Sequence, residues 1–284
     1  MRITTLVLLL ALVLSACSSA SQSGQGGASS SDPLSSGEPV EVDVGDDSLQ
    51  IHCYGKGNPV VVLEHGLTRD WTYWGHIYRG MPRDIRVCAY NRSFKAHTSQ
   101  EYVDDLHALL SGAHLEGPYV LVGHDFGGLD VILYANRYPA EVAGIVLENS
   151  FHPDQLTRFL AALPPESSSD SADLKAIRQK FGAPAQYSID MAASFDQVRA
   201  VKSLGDIPMV VLTSASPNPE WGDIPADVQG KLDQEQQAMQ KELTSLSSDT
   251  RQVIATTNKP VIHLYEPQLV IDTIVKLVSE IRSE

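Results

Sequence analysis

Between residues 40 and 282, short apolar runs alternate with amphipathic stretches, and that alternation leaves the chain few architectures. The runs at 40–44, 49–54, 59–64, 85–90, 118–123, 143–148, 208–213 and 252–256 have strand length and composition. Helical periodicity occupies 99–112, where Tyr102, Leu106, Leu109 and Leu110 share a face, and returns at 127–138, 226–247 and 267–282. A leading hairpin followed by strands and helices in turn predicts an α/β domain with an eight-stranded, mostly parallel sheet flanked by helices. Ligands of such sheets bind at the carboxyl ends of the strands. The stretch 153–205 breaks the rhythm with Pro164, Pro165 and the serine-rich Ser167–Ser171. It is either a small lid over that crevice or a plain surface excursion.

The run Gly123-His124-Asp125-Phe126-Gly127-Gly128 directly follows one apolar run and opens the 127–138 helix. A strand, a Gly-x-nucleophile-x-Gly turn and a helix form a nucleophile elbow, in which small residues let the turn close and the central side chain stands exposed. Serine usually occupies the tip. Here it is Asp125.

Val60–Gly66, Arg86–Arg92, Val103–Leu110, Gly117–Gly128, Tyr138–Leu147 and Ile207–Thr213 resemble, in order and spacing, actinobacterial α/β-hydrolases of the serine-nucleophile type. The resemblance covers roughly residues 40–282 and implies the α/β-hydrolase fold. It also implies an oxyanion hole from the backbone N–H groups of Leu67 and Phe126. In that strand order Cys53 and Cys88 lie on neighbouring strands, so a cross-strand disulfide is expected, with two unpaired core cysteines as the alternative.

Three departures bear on chemistry. Asp125 replaces serine. Relatives carry the catalytic histidine about seven residues before the proline that opens the last helix; counting back from Pro267 gives Pro260, which has no base. The loop after Tyr90, reading Asn91-Arg-Ser-Phe-Lys-Ala-His97, is short and lacks the relatives' aspartate and glycine-rich stretch.

Gly123–Gly127 matches the GHD-x-G pattern of haloalkane dehalogenases and epoxide hydrolases, whose aspartate attacks an alkyl carbon to give a stable ester. Attack on a carboxyl ester would instead give an anhydride that reverts readily, so an esterase built on Asp125 is not expected. Turnover of an alkyl ester also needs an imidazole to activate water. His263 and His152 are the candidates for a displaced base, and Glu148 could serve as the acid or be an ordinary strand-end carboxylate. His65 and His124 are assigned packing roles. Asp125 also suits a purely structural role as N-cap of the 127–138 helix. Histidine spacing predicts no metal site, and no cofactor motif is present.

Residues 1–16 are read as a lipoprotein signal peptide: Arg2, the apolar Ile3–Leu14 and a Leu14-Ser15-Ala16-Cys17 cleavage site, with Cys17 lipidated. An ordinary secretory signal is the alternative. Residues 17–37, rich in serine and glycine, are expected to be a flexible tether, leaving 38–284 as one hydrolase-type domain. With 21 Lys+Arg against 35 Asp+Glu the net charge is −14, which argues against nucleic acid as a partner. The expectation is an exported protein on the extracytoplasmic face of the cell membrane, lipid-anchored and binding a small molecule with its catalysis impaired. The alternative is an active hydrolase with Asp125 as nucleophile. Nothing in the sequence sets an oligomeric state.

Overall fold

The computed structural model describes Leu34 and residues 36–67, 70–94, 98–182, 185–186 and 189–283. Cys17, nearly all of the expected tether, and His97 lie outside the described residues. The order is β1 (Ser36–Asp43), β2 (Ser48–Tyr54), β3 (Val60–Glu64), α1 (Gly75–Gly80), β4 (Val87–Tyr90), α2 (Ser99–Gly112), β5 (Tyr119–His124), α3 (Gly127–Arg137), β6 (Val142–Glu148), α4 (Gln155–Ala162), α5 (Ala172–Gly182), β7 (Ala185–Gln186), β8 (Ile189–Asp190), α6 (Met191–Arg199), β9 (Met209–Thr213), α7 (Ala226–Leu243), β10 (Thr250–Ile254), α8 (Ile262–Tyr265) and α9 (Pro267–Ile281). The main sheet has eight strands in the order β1-β2-β4-β3-β5-β6-β9-β10. β1, β2 and β4 pair antiparallel, and every other neighbouring pair is parallel.

The central strands are apolar throughout because both of their faces are covered. Their twofold alternation sorts the core into two layers. Val60, Val62, Leu121, Ile145, Leu147 and Val211 join the layer under α2, α3 and α6. Val61, Leu63, Val120, Val122, Val146 and Val210 face the other way, onto α1 and α9. The final helix starts with Pro267 and lays Val270, Ile271, Ile274, Leu277 and Val278 on that second layer, a run at helical spacing. At the start of α2, Thr98 and Glu101 form a capping box.

Cys53 and Cys88 stand opposite each other across the β2–β4 pair, fully buried and bonded as a disulfide. Residues 149–208 leave the sheet between β6 and β9 and carry α4, α5, the β7–β8 ladder and α6. Their apolar faces do not close on themselves. Phe159 lies 4.8 Å from Phe181 and meets Trp221 edge-on at 5.3 Å between ring centroids, and α7 supplies Val228, Leu232 and Met239 to the same cluster. The cavity wall and this cluster therefore draw on two segments, α4 and α5 from one and Trp221 with α7 from the other, and the sequence pointed only to the first. No helix among the described residues is long and apolar enough to cross a membrane.

Candidate active site

The site begins where β5 runs out. Gly123 lets the chain turn because a Cβ there would sit 2.7 Å from Gly127 O and Gly128 Cα. Asp125 then adopts φ +55°, a left-handed conformation uncommon for a residue with a side chain. Its carbonyl accepts from the N–H groups of Gly128 at 3.2 Å and Phe151 at 2.9 Å, and its N–H donates to Glu148 O at 3.3 Å. These three bonds fix the strained turn and lift the side chain above the sheet.

The Asp125 carboxylate does not cap α3, whose N-cap is Phe126 without any side-chain bond. A structural role for Asp125 as N-cap of this helix was one expectation from sequence, and the geometry overturns it: the carboxylate turns back toward the loop after β3. There Oδ2 accepts from Leu67 N–H at 3.4 Å, and the adjoining Phe126 N–H also favours the ionised carboxylate. These are the two donors expected to form an oxyanion hole, so the chain's own anion occupies the position an oxyanion would take. Gly66 makes this approach feasible, since a Cβ at that residue would lie 2.8 Å from Asp125 Oδ2. Burial pushes the Asp125 carboxyl up to about 6, against the lowering by Phe126 and Leu67 N–H and by the more remote Lys180 and Arg92.

The loop bearing Leu67 is held from beneath. Arg92 is buried, donating to Glu64 through Nε at 3.0 Å and to Gly66 O through Nη1 at 3.0 Å, and it also bonds His65 O. Asp130 completes the cluster 3.3 Å from the guanidinium. The short 91–97 loop thus sends its arginine inward, where a planar five-donor fork matches both a carboxylate and two loop carbonyls.

Glu148 and His263 come together, though neither lines the cavity above Asp125. Both are fully buried; His263 Nδ1 lies 2.9 and 3.0 Å from the two Glu148 oxygens, and His263 N–H donates to Oε1 at 2.8 Å. Burial raises the Glu148 carboxyl, but the His263 imidazole and N–H more than offset this and hold it below its ordinary value. Trp74 covers the imidazole at 4.2 Å between ring centroids, Tyr73 meets it edge-on at 4.9 Å, and His263 Nε2 has no hydrogen-bond partner. No imidazole among the described residues hydrogen-bonds the Asp125 carboxylate.

Pro260, where the count back from Pro267 looked for a histidine, lines the cavity together with Val261. That wall is fixed. Asn149, at the end of β6 with φ +40°, donates to Pro260 O at 2.6 Å and is itself tied to Ser214 at 2.9 and 3.0 Å. Burial drives the His124 imidazole down to about 4, against the raising influence of Glu148 and of the Pro260 carbonyl. His152 is not a replacement: its Nδ1 accepts from Asp154 N–H at 3.1 Å and its Nε2 lies 3.5 Å from Glu242 on α7, away from the cavity lining. Sequence reasoning gave His124 only a packing role, yet it lines the cavity and lies 5.0 Å from the His263 ring. In the sheet it stands in register with Glu148 across β5 and β6.

His124, Glu148 and His263 offer donor atoms within 4.8 Å of one another, a grouping that histidine spacing in the sequence did not anticipate. Both Glu148 oxygens are engaged by His263, while His263 Nε2 and His124 Nδ1 stay without a hydrogen-bond partner. The cavity itself has a volume of about 320 Å³, within the usual range for small-molecule sites. Phe151, Leu156, Phe159, Phe181 and Trp221 give it apolar walls, and the exposed Lys180 and Glu220 stand at its mouth.

A sequence profile of the alpha/beta hydrolase family matches residues 60–275. The chain belongs to the alpha/beta hydrolase family. Among curated relatives, epoxide hydrolase 4 of Mus musculus is 29% identical over 43% of this chain and 41% of its own length. An uncharacterised Bacillus subtilis (strain 168) protein is 22% identical over 77% of this chain and 83% of its own. Solved alpha/beta hydrolases superpose over most of the chain. A haloalkane dehalogenase from Agrobacterium tumefaciens C58 aligns with TM-score 0.57 and 15% identity over 86% of this chain and 97% of its own. A thermophilic esterase from Thermogutta terrifontis aligns with TM-score 0.56 and 17% identity over 86% and 99%. The chain thus spans about two fifths of the length of the epoxide hydrolase, and the structural likenesses establish the shared fold.

Proposed function

We propose that this alpha/beta hydrolase family member binds a small molecule in the cavity above Asp125 without turning it over, held on the extracytoplasmic face of the cell membrane by a lipid on Cys17. One observation carries the catalytic half of this reading. Pro260 and Val261 line the cavity and His263 does not, its imidazole being fully buried against Glu148. An aspartate at the elbow can attack an alkyl carbon, but the resulting ester persists unless a base activates water beside it. The carboxylate's place on the Leu67 and Phe126 N–H groups further disfavours acyl chemistry, because a tetrahedral oxyanion would have to displace it.

A second reading, an active hydrolase with Asp125 as nucleophile, is favoured by the epoxide hydrolase relative and by the unpartnered His263 Nε2 close behind the wall. Intact-mass analysis after exposure to epoxides, haloalkanes and activated esters separates the two. The binding reading predicts either unmodified protein or a permanent adduct on Asp125. An adduct that forms and then clears as product accumulates supports the second reading instead.

A further inference from the structure

The cavity concentrates one kind of charge in its depth. Asp125 is the ionised side chain at its floor, and its carboxylate receives only backbone N–H groups, the Leu67 contact being long at 3.4 Å. No ion pair to Asp125 exists among the described residues; the nearest buried cation, Arg92, is already bound to Glu64 and Asp130. Lys180 and Glu220 at the mouth are both exposed and opposite in sign; Lys180 lowers the Asp125 carboxyl, but less than burial raises it. Tyr73, on the wall, registers what remains: burial first, then Asp125, Glu148 and Glu220, push its hydroxyl up to about 12. His124, also on the wall, is kept neutral by burial.

We infer that the ligand is a hydrophobic organic ammonium ion, its cation seated on the Asp125 carboxylate and its apolar body among Phe151, Phe159, Phe181 and Trp221. This rests on the binding function proposed above. An ammonium group brings N–H donors to a half-buried, partly desolvated acceptor, where a charge-assisted hydrogen bond is stronger than in open water. Aromatic faces favour a cation further. An anionic ligand meets the reverse: the two backbone donors it would need are occupied, and it would face a like charge. The net charge of −14 also favours the approach of cations over anions.

Phenylbutylamine, phenylbutanol and phenylbutyrate are matched in shape and differ in charge, and their affinities for the full chain can be compared by isothermal titration calorimetry. At pH 7.5 the amine is expected to bind at least about ten-fold tighter than the alcohol, with the carboxylate weakest. Because Asp125 gives up its proton near 6, the amine should weaken about ten-fold between pH 7 and pH 5, while the alcohol should not. Asp125→Asn should remove the preference for the amine. Equal or tighter binding of the alcohol, a preference that survives Asp125→Asn, or no binding of any of the three overturns the inference. The wild-type pH profile decides the matter even if the variant does not fold. Mass spectra of the titrated samples keep the two claims apart: product formation strikes at the non-catalytic reading alone, and a lost amine preference strikes at the ammonium alone.

Discussion

Replacing Asp125 with asparagine keeps the shape of the side chain and an oxygen for Leu67 N–H, and removes only the charge. The unfolded chain's carboxyl ionises near its ordinary 3.8, whereas the folded protein holds the proton until about 6 because the carboxylate is desolvated. Folding therefore favours the protonated form: the contribution is intact below pH 3.8 and is lost as pH rises through 6. Above both values the ionised group costs on the order of 3 kcal/mol, an upper figure because solvent in the cavity reaches one side of the carboxylate. Asp125→Asn should accordingly match the parent's stability near pH 4 and exceed it increasingly toward pH 7.5. Urea denaturation across that range, read by tryptophan fluorescence, measures the difference directly. A variant that is less stable at pH 7.5, or a difference that does not change with pH, would refute the claim that Asp125 is a desolvated, unpaired charge.

Three further predictions concern the buried scaffold. His263→Leu should lower stability by about 3–5 kcal/mol, because it strands the Glu148 carboxylate in the core. Glu148→Gln should remove a contribution that the parent shows above its ordinary 4.5 and loses as pH falls below that value, which thermal melts between pH 3 and pH 7 can follow. Replacing both Cys53 and Cys88 with alanine, which are 35 residues apart in sequence, should cost about 3–4 kcal/mol in chemical denaturation if the cross-link acts mainly on the unfolded chain.

Strand and helix positions were largely legible because apolar spacing is a local property. The runs expected at 118–123 and 143–148 appear as β5 and β6 within a residue, and the 99–112 helix has the bounds its pattern gives. The disulfide followed from strand order, which the family resemblance supplied. What sequence spacing could not supply was the meeting of distant segments. Trp221 completes the aromatic cluster only because α4 and α5 leave an aromatic face uncovered. The carboxylate of Asp125 chooses Leu67 N–H over α3 because φ +55° at the elbow aims it there. His263 and Glu148 are 115 residues apart, and only the sheet brings them into contact; the same packing seals them from the cavity.

Product released per polypeptide, counted with an epoxide and with a haloalkane in large excess over the protein, bears most directly on the central claim. A cavity lined by Pro260 and Val261 and not by His263 predicts no more than a single equivalent. Many equivalents from the purified protein, lost on changing Asp125 to asparagine, would contradict it and establish that His263 or another group reaches the cavity.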